Sequence, residues 1–186
     1  MVGIDEVGRG CLAGPMLVVA ARQKTKLPSG VKDSKKLTKG RRESLYELLI
    51  LSCDFGEGWV SSQQIDNLGL TAATRLGVKK ALVALGVSPD EHLIIDGHIN
   101  YAPKDFKLTE AIIGADDSVE VVSAASIYAK VVRDRYMSSL ADKYPNYGFE
   151  NHVGYGTAFH LEAIKTLGSI DKLHRLSFGP LKELAR

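Results

Sequence analysis

Met1-Val2-Gly3-Ile4-Asp5-Glu6-Val7-Gly8-Arg9-Gly10 is the stretch on which the reading of this chain turns. A short apolar run (Met1, Val2, Ile4) delivers two adjacent carboxylates, and a Gly-Arg-Gly turn follows. The run reads as a buried strand, where an unpaired carboxylate is costly and must find a cation or a proton. Glycines let backbone approach a ligand closely, and an arginine between them suits a phosphate. A hard metal beside a phosphate is one reading. A strand end whose acids face solvent is the other.

Outward from that stretch, the chain has 186 residues and 45% hydrophobic content, enough for one domain with a real core. No apolar run approaches the roughly 20 residues needed to span a bilayer, and the first residues lack the pattern of a signal peptide. Cys11 and Cys53 have no framework spacing, which points to thiols in a reducing compartment and to the cytoplasm. The net charge of +2 is unevenly spread: between Lys24 and Arg42 eight basic side chains face Asp33 alone. A basic segment on a mildly acidic body is the footprint of a polyanion binder, although lysine runs also serve only to solubilise.

Along the chain, Leu12–Ala21 reads as a second strand entered through Gly14-Pro15, and the basic segment as a loop. A helix is expected from Gly40, with Leu45, Leu48 and Leu49 on one face. Asp54–Ser61 reads as a third strand and Thr71–Leu85 as a second helix. His92–Gly97 (HLIIDG) repeats the opening pattern of an apolar run ending in an acid, here Asp96. Two buried strands that each end in an Asp bring the acids together if they are sheet neighbours. Asp96-Gly97 also fits a plain turn.

Phe106–Ile113 reads as an edge strand running into Asp116 and Asp117. Ser118–Leu140 gives the clearest helix, its apolar stripe running through Val122, Ala125, Ala129, Val132, Tyr136 and Leu140. Lys130 and Asp134 are spaced for an ion pair, which accounts for Asp134 without a place in the site. In the last third, Tyr144, Tyr147, Phe149 and Tyr155 alternate with glycines and His152. That pattern suits stacking on sugars or bases and equally suits a small satellite core. A helix over 157–167 and then HRLSFGP follow.

Asp5, Glu6, Asp96 and one of Asp116 or Asp117 each stand beside a strand end or a helix start. No Cys/His cluster has zinc spacing, and oxygen-only ligation suits Mg²⁺ or Mn²⁺. Two such ions can activate water and stabilise the leaving oxygen in phosphodiester cleavage.

The order of GIDEVGRG, LAGP, DSKKLT, IIDG, GADD…VVSAASIYAKVVRDR, YPNYGFENHVGYGT and HRLSFGP resembles the ribonuclease HII family, from Gly3 to Pro180. The resemblance implies an α/β, ribonuclease H-like fold. Its mixed five-stranded sheet is flanked by helices, with a catalytic domain over 1–140 and a small helical, substrate-binding C-terminal region over 141–186. It implies hydrolysis of the RNA strand of RNA–DNA hybrids and cutting 5′ of single ribonucleotides in duplex DNA. The ends left are 3′-hydroxyl and 5′-phosphate, a chemistry that belongs to ribonucleotide excision repair.

The family's catalytic, metal-binding acids fall on Asp5, Glu6, Asp96 and, counting seven back from Ser123, Asp116, with Asp117 a competitor. Two Mg²⁺ or Mn²⁺ ions are implied. Gly8, Arg9 and Gly10 resemble the motif that reads the ribose 2′-hydroxyl, and Tyr155 the tyrosine that packs on that ribose. Ser34, Lys35 and Lys36 match a phosphate-contacting segment, and His174 and Arg175 are expected to do the same. Where relatives carry proline, this chain has Cys11, and it has Val119-Glu120 after the fourth acid. A monomer with no membrane partner is expected. The end at Arg186 sets the further expectation that an extended docking peptide is absent. The rival readings are a DNA-cutting nuclease of the same fold, which has no use for a 2′-hydroxyl reader, and a non-catalytic hybrid-binding module, which has no need of four acids.

Overall fold

The computed structural model describes residues 1–31 and 37–184. At its centre lies β1 (Val2–Val7), flanked by antiparallel β2 (Met16–Gln23) and parallel β4 (Leu93–Asp96). Beyond them, β3 (Cys53–Val60) pairs antiparallel with β2, and β5 (Thr109–Ile112) parallel with β4. The sheet is therefore mixed and five-stranded, ordered β3-β2-β1-β4-β5.

Both faces are covered because alternate residues of the central strands are apolar on both sides. Val2, Ile4, Val18, Leu93 and Ile95 pack with Ala73, Val78, Ala81 and Leu82 of α3 (Leu70–Leu85). Leu17, Val19, Ala21 and Ile94 pack with Val122, Ala125 and Ala129 of α5 (Glu120–Lys143). Gly3 lies on the second face, where a Cβ would come within 2.6 Å of the Val121–Val122 backbone. The missing side chain lets the start of α5 press directly on β1, one residue pair from Asp5.

The remaining helices are α1 (Lys39–Ser52), capped by Thr38, and α2 (Ser62–Leu68), α4 (Ala115–Ser118), α6 (Phe149–His152), α7 (Ala158–Leu167) and α8 (Gly179–Leu184). Sequence reading did not anticipate α2, α6 or α8. For α2 the signal was present, since Ser61 and Gln64 form a reciprocal capping box. No described helix is long and apolar enough to cross a membrane.

Three expectations shift. The second strand begins at Met16, not Leu12, because the backbone before it is taken by the C-terminal region. Leu12 and Ala13 donate to the Gly154 carbonyl and Gly14 to that of Leu173, all within 3.2 Å. The helix expected over 118–140 is broken at Val119, whose extended backbone separates α4 from α5. The buried stripe of α5 runs on through Arg133 and Met137, both 0% exposed, whereas Tyr136 is exposed. Arg133 belongs inside because its guanidinium finds three backbone carbonyls there.

Candidate active site at the ends of β1 and β4

The register Val2↔Leu93, Gly3↔Ile94, Ile4↔Ile95 carries Asp5 to the position beside Asp96 at the carboxyl ends of two parallel strands. Alternation points Asp5 to the α5 face, as it does Gly3 two residues earlier. There the Ser126 hydroxyl of α5 hydrogen-bonds its carboxylate, while Oδ1 also accepts the Glu6 backbone N–H at 2.8 Å. Burial pushes the Asp5 carboxyl up to about 8; the Ser126 bond pulls it down, and the nearby Glu6 and Asp96 carboxylates add to the rise. Asp5, 7% exposed, is an acid that water does not adequately solvate.

Asp5, Glu6 and Asp96 line one cavity of about 390 Å³ together with Gly8, Arg9, Gly10, Arg42, Ser126, Lys130 and Tyr155. Asp96 Oδ1 is buried without a hydrogen-bond partner among the described residues. Asp116 does not line the cavity. It is fully buried on α4, which packs against β4, and its backbone carbonyl accepts the Ser123 hydroxyl at 2.6 Å. That bond is the physical content of the seven-residue spacing from acid to serine. Asp117 is exposed.

Among the described residues no three His, Cys, Asp or Glu side chains already surround a point where a metal ion would sit. The donor set nevertheless fits a hard divalent cation. It is all oxygen, it pairs an orphaned buried carboxylate oxygen with an acid that burial holds protonated, and it has no soft ligand. Like charges crowded at a strand end spread apart unless a cation draws them together.

The Gly-Arg-Gly turn closes over the same cavity. Gly8 has φ +80°, and a Cβ there would lie 2.0 Å from Arg133 Nε, so position 8 tolerates no side chain. Arg9 Nη1 reaches Glu6 Oε1 at 3.3 Å, and its guanidinium lies 5.5 Å from the Tyr101 ring centre. Two buried arginines tie the backbone around the site together, and the second of them bonds this turn directly. Arg133 donates to the carbonyls of Pro15 (2.8 Å), Val153 (3.0 Å) and Ala13 (3.3 Å). Arg175 donates to those of Gly8 (2.7 Å), Arg9 (2.8 Å) and Gly14 (2.8 Å).

Val153 is held at φ +45°, a costly conformation for a β-branched residue, just before the loop that carries Tyr155. Tyr155 is 40% exposed at the cavity edge, with Lys130 Nζ 5.8 Å from its ring centre. Its carbonyl accepts His160 Nδ1–H at 2.9 Å. His160 Nε2 meets His174 Nε2 at 3.1 Å, and His174 Nδ1 accepts the Ile170 N–H at 2.7 Å. The bonds form one consistent chain of neutral rings, and burial pushes both His160 and His174 down to about 4.

The phosphate contacts expected of His174 and Arg175 find no support in this geometry: the two are 2% and 0% exposed, and each is spent on the interior. Ser34, Lys35 and Lys36 lie outside the described residues. Sequence reading missed Ser126, Lys130 and Arg42 as cavity residues. For Ser126 the available signal was a second serine one helical turn after Ser123. Lys130 and Asp134 do form the expected ion pair, at 2.9 Å.

A profile of the family described as Ribonuclease HII matches residues 2–180. A ribonuclease HII of Bacillus cereus (strain B4264) is 45% identical over 99% of this chain and 70% of its own length. One of Coxiella burnetii (strain Dugway 5J108-111) is 42% identical over 99% of this chain and 90% of its own. In structure, the ribonuclease HII of Archaeoglobus fulgidus, solved as a complex with PCNA, superposes with a TM-score of 0.77 at 28% identity, covering 94% of this chain and 92% of that one. Matched along nearly its whole sequence and across its fold, the chain belongs to the ribonuclease HII family.

Proposed function

We propose that this ribonuclease H-type endonuclease cuts the RNA strand of RNA–DNA hybrids and cuts 5′ of a single ribonucleotide in duplex DNA, leaving 3′-hydroxyl and 5′-phosphate ends. The observation that carries the reading is the pairing of Asp5 with Asp96 at one strand end, beneath a Gly-Arg-Gly turn and Tyr155. Asp5, Glu6, Asp96 and Asp116 would hold two divalent ions, Mg²⁺ or Mn²⁺. Such ions supply a water of lowered pKa and offset charge on the departing 3′ oxygen.

The chain's own groups select and orient the substrate. The backbone N–H groups of Arg9 and Gly10 have no acceptor among the described residues, which leaves them free to bond a ribose 2′-hydroxyl. Tyr155 offers its ring face to that sugar, with Lys130 beside it for a phosphate. Arg175 and Arg133 act as positioning residues that hold the two loops at one spacing. Residues 1–140 supply the acids and 141–186 the loop that closes on the ribose. Buried free thiols at Cys11 and Cys53 suit a reducing compartment such as the cytoplasm.

The test is Asp5→Asn. The variant should bind a hybrid as well as wild type and fail to cut it with either metal. Appreciable turnover by the variant would rule out the role given to Asp5.

A further inference from the structure

A second concave surface adjoins the site and has no part in the chemistry. It is a groove of about 950 Å³ between α3 and the loop joining β4 to β5. Arg75 and Lys79 stand one helical turn apart on α3, and Lys104 and Lys107 face them from the loop. All four are exposed, and among the described residues none has an anionic partner. Asp105 is also exposed and lines an adjoining depression that shares Lys79, Pro103 and Phe106 with this groove, so it stands at the groove's margin as one acid against four cations. The floor is apolar, with Tyr101 and Phe106 packed into the core beneath.

Four unpaired cations around a concavity repel one another and focus a positive potential into it, a cost that a polyanion offsets. An apolar floor with a cationic rim matches a sugar–phosphate backbone, whose sugars are weakly polar and whose phosphates repeat along an edge. The groove is also continuous with the cavity of the acids. Arg9 lines that cavity, and its guanidinium lies over the ring of Tyr101, which lines the groove. A strand leaving the Gly-Arg-Gly turn past Arg9 therefore runs directly onto the cationic rim.

We infer that this groove is an auxiliary binding site for the DNA backbone flanking the cut position. The inference rests on the function proposed above. The groove grips phosphates without reading sequence and contributes affinity, not chemistry.

The combined variant Arg75→Gln, Lys79→Gln, Lys104→Gln, Lys107→Gln tests it, since none of the four supports the fold. Binding of a long ribonucleotide-containing duplex is measured by fluorescence anisotropy across a salt series, with Ca²⁺ replacing the catalytic ion. Cutting by wild type is assayed in parallel. The variant should bind the long duplex on the order of ten- to a hundredfold more weakly, and its salt slope should be shallower by about two to four units, roughly 0.9 for each phosphate no longer neutralised. Its kcat at saturating substrate should be unchanged. On a duplex trimmed to the base pairs around the ribonucleotide, the difference should nearly vanish. Equal salt slopes for variant and wild type on the long duplex overturn the groove, and an equal loss on both duplexes overturns its placement along the flank. Wild-type protein that fails to cut overturns the proposed activity instead, and the binding comparison still decides the groove.

Discussion

Asp5 bears the sharpest conflict in the molecule, because burial and neighbouring carboxylates oppose the charge that metal binding requires. With its carboxyl pushed up to about 8, the ion-free native state keeps a proton that the unfolded chain, near 3.8, has released. Where the native state binds more protons than the unfolded state, stability falls as pH rises. The ion-free protein should thus lose stability between about pH 4 and pH 8 on account of this residue. Asp5→Asn removes the titration. At pH 8 without divalent ion its melting temperature should exceed that of wild type by on the order of a few degrees, and the gap should close towards pH 4. Equal melting temperatures at pH 8 would contradict the assigned burial cost. At the same scale, Ser123→Ala loses the bond to the Asp116 carbonyl and should cost about 1 kcal/mol in chemical denaturation. A larger fall in cutting than in stability would mark Asp116 as the fourth acid.

At the scale of elements, the site depends on two loops that carry no acids and are tied by buried arginines to the segment joining β1 to β2. Arg175→Ala would remove a donor from the Gly8, Arg9 and Gly14 carbonyls. Gly8 keeps the Cys11 N–H and Gly14 the Ser62 hydroxyl, so the main cost is at the Arg9 carbonyl, about 1–3 kcal/mol for a buried group left unsatisfied. Arg175→Lys keeps the charge but cannot span three carbonyls at once. The lysine variant should fold, and should lose preference for a ribonucleotide over a deoxynucleotide at the cut site more than it loses affinity for duplex. Unchanged preference would reduce Arg175 to packing.

These anchors mark the limit of what the sequence discloses. Asp5 and Asp96 were legible as candidates because each closes an apolar run that reads as a buried strand, but that the two strands are neighbours is read only from the sheet order. Arg133 was not legible, since its charge argues for a polar face whatever its spacing, and only carbonyls contributed from distant loops make an interior place for it. His174 and Arg175 were misread for the same reason, because a sequence displays charge and hides burial. The strand entered at Met16 instead of Leu12 shows the same effect on backbone, where distant carbonyls claim donors that local pattern assigns to a ladder.

Across the whole molecule, the C-terminal region is held together internally by neutral histidines, and this sets an acid limit. His160 and His174 stay near 4 in the fold and near 6.5 when unfolded, so the unfolded chain binds protons that the native state refuses. Their contribution to stability is complete above about pH 6.5 and is lost as pH falls towards 4, opposite in sign to that of Asp5. In the Asp5→Asn background the melting temperature should fall steadily across that window, and a flat profile would contradict the neutral pair.

The whole molecule is tested most directly by a labelled duplex holding one ribonucleotide, incubated with Mg²⁺, Mn²⁺ or chelator beside an all-DNA control. Acids, turn and Tyr155 acting together predict metal-dependent cutting at one bond, 5′ of the ribonucleotide, with the control intact. Cutting of the all-DNA duplex, or no cutting with either ion, would contradict that union of metal site and ribose reader.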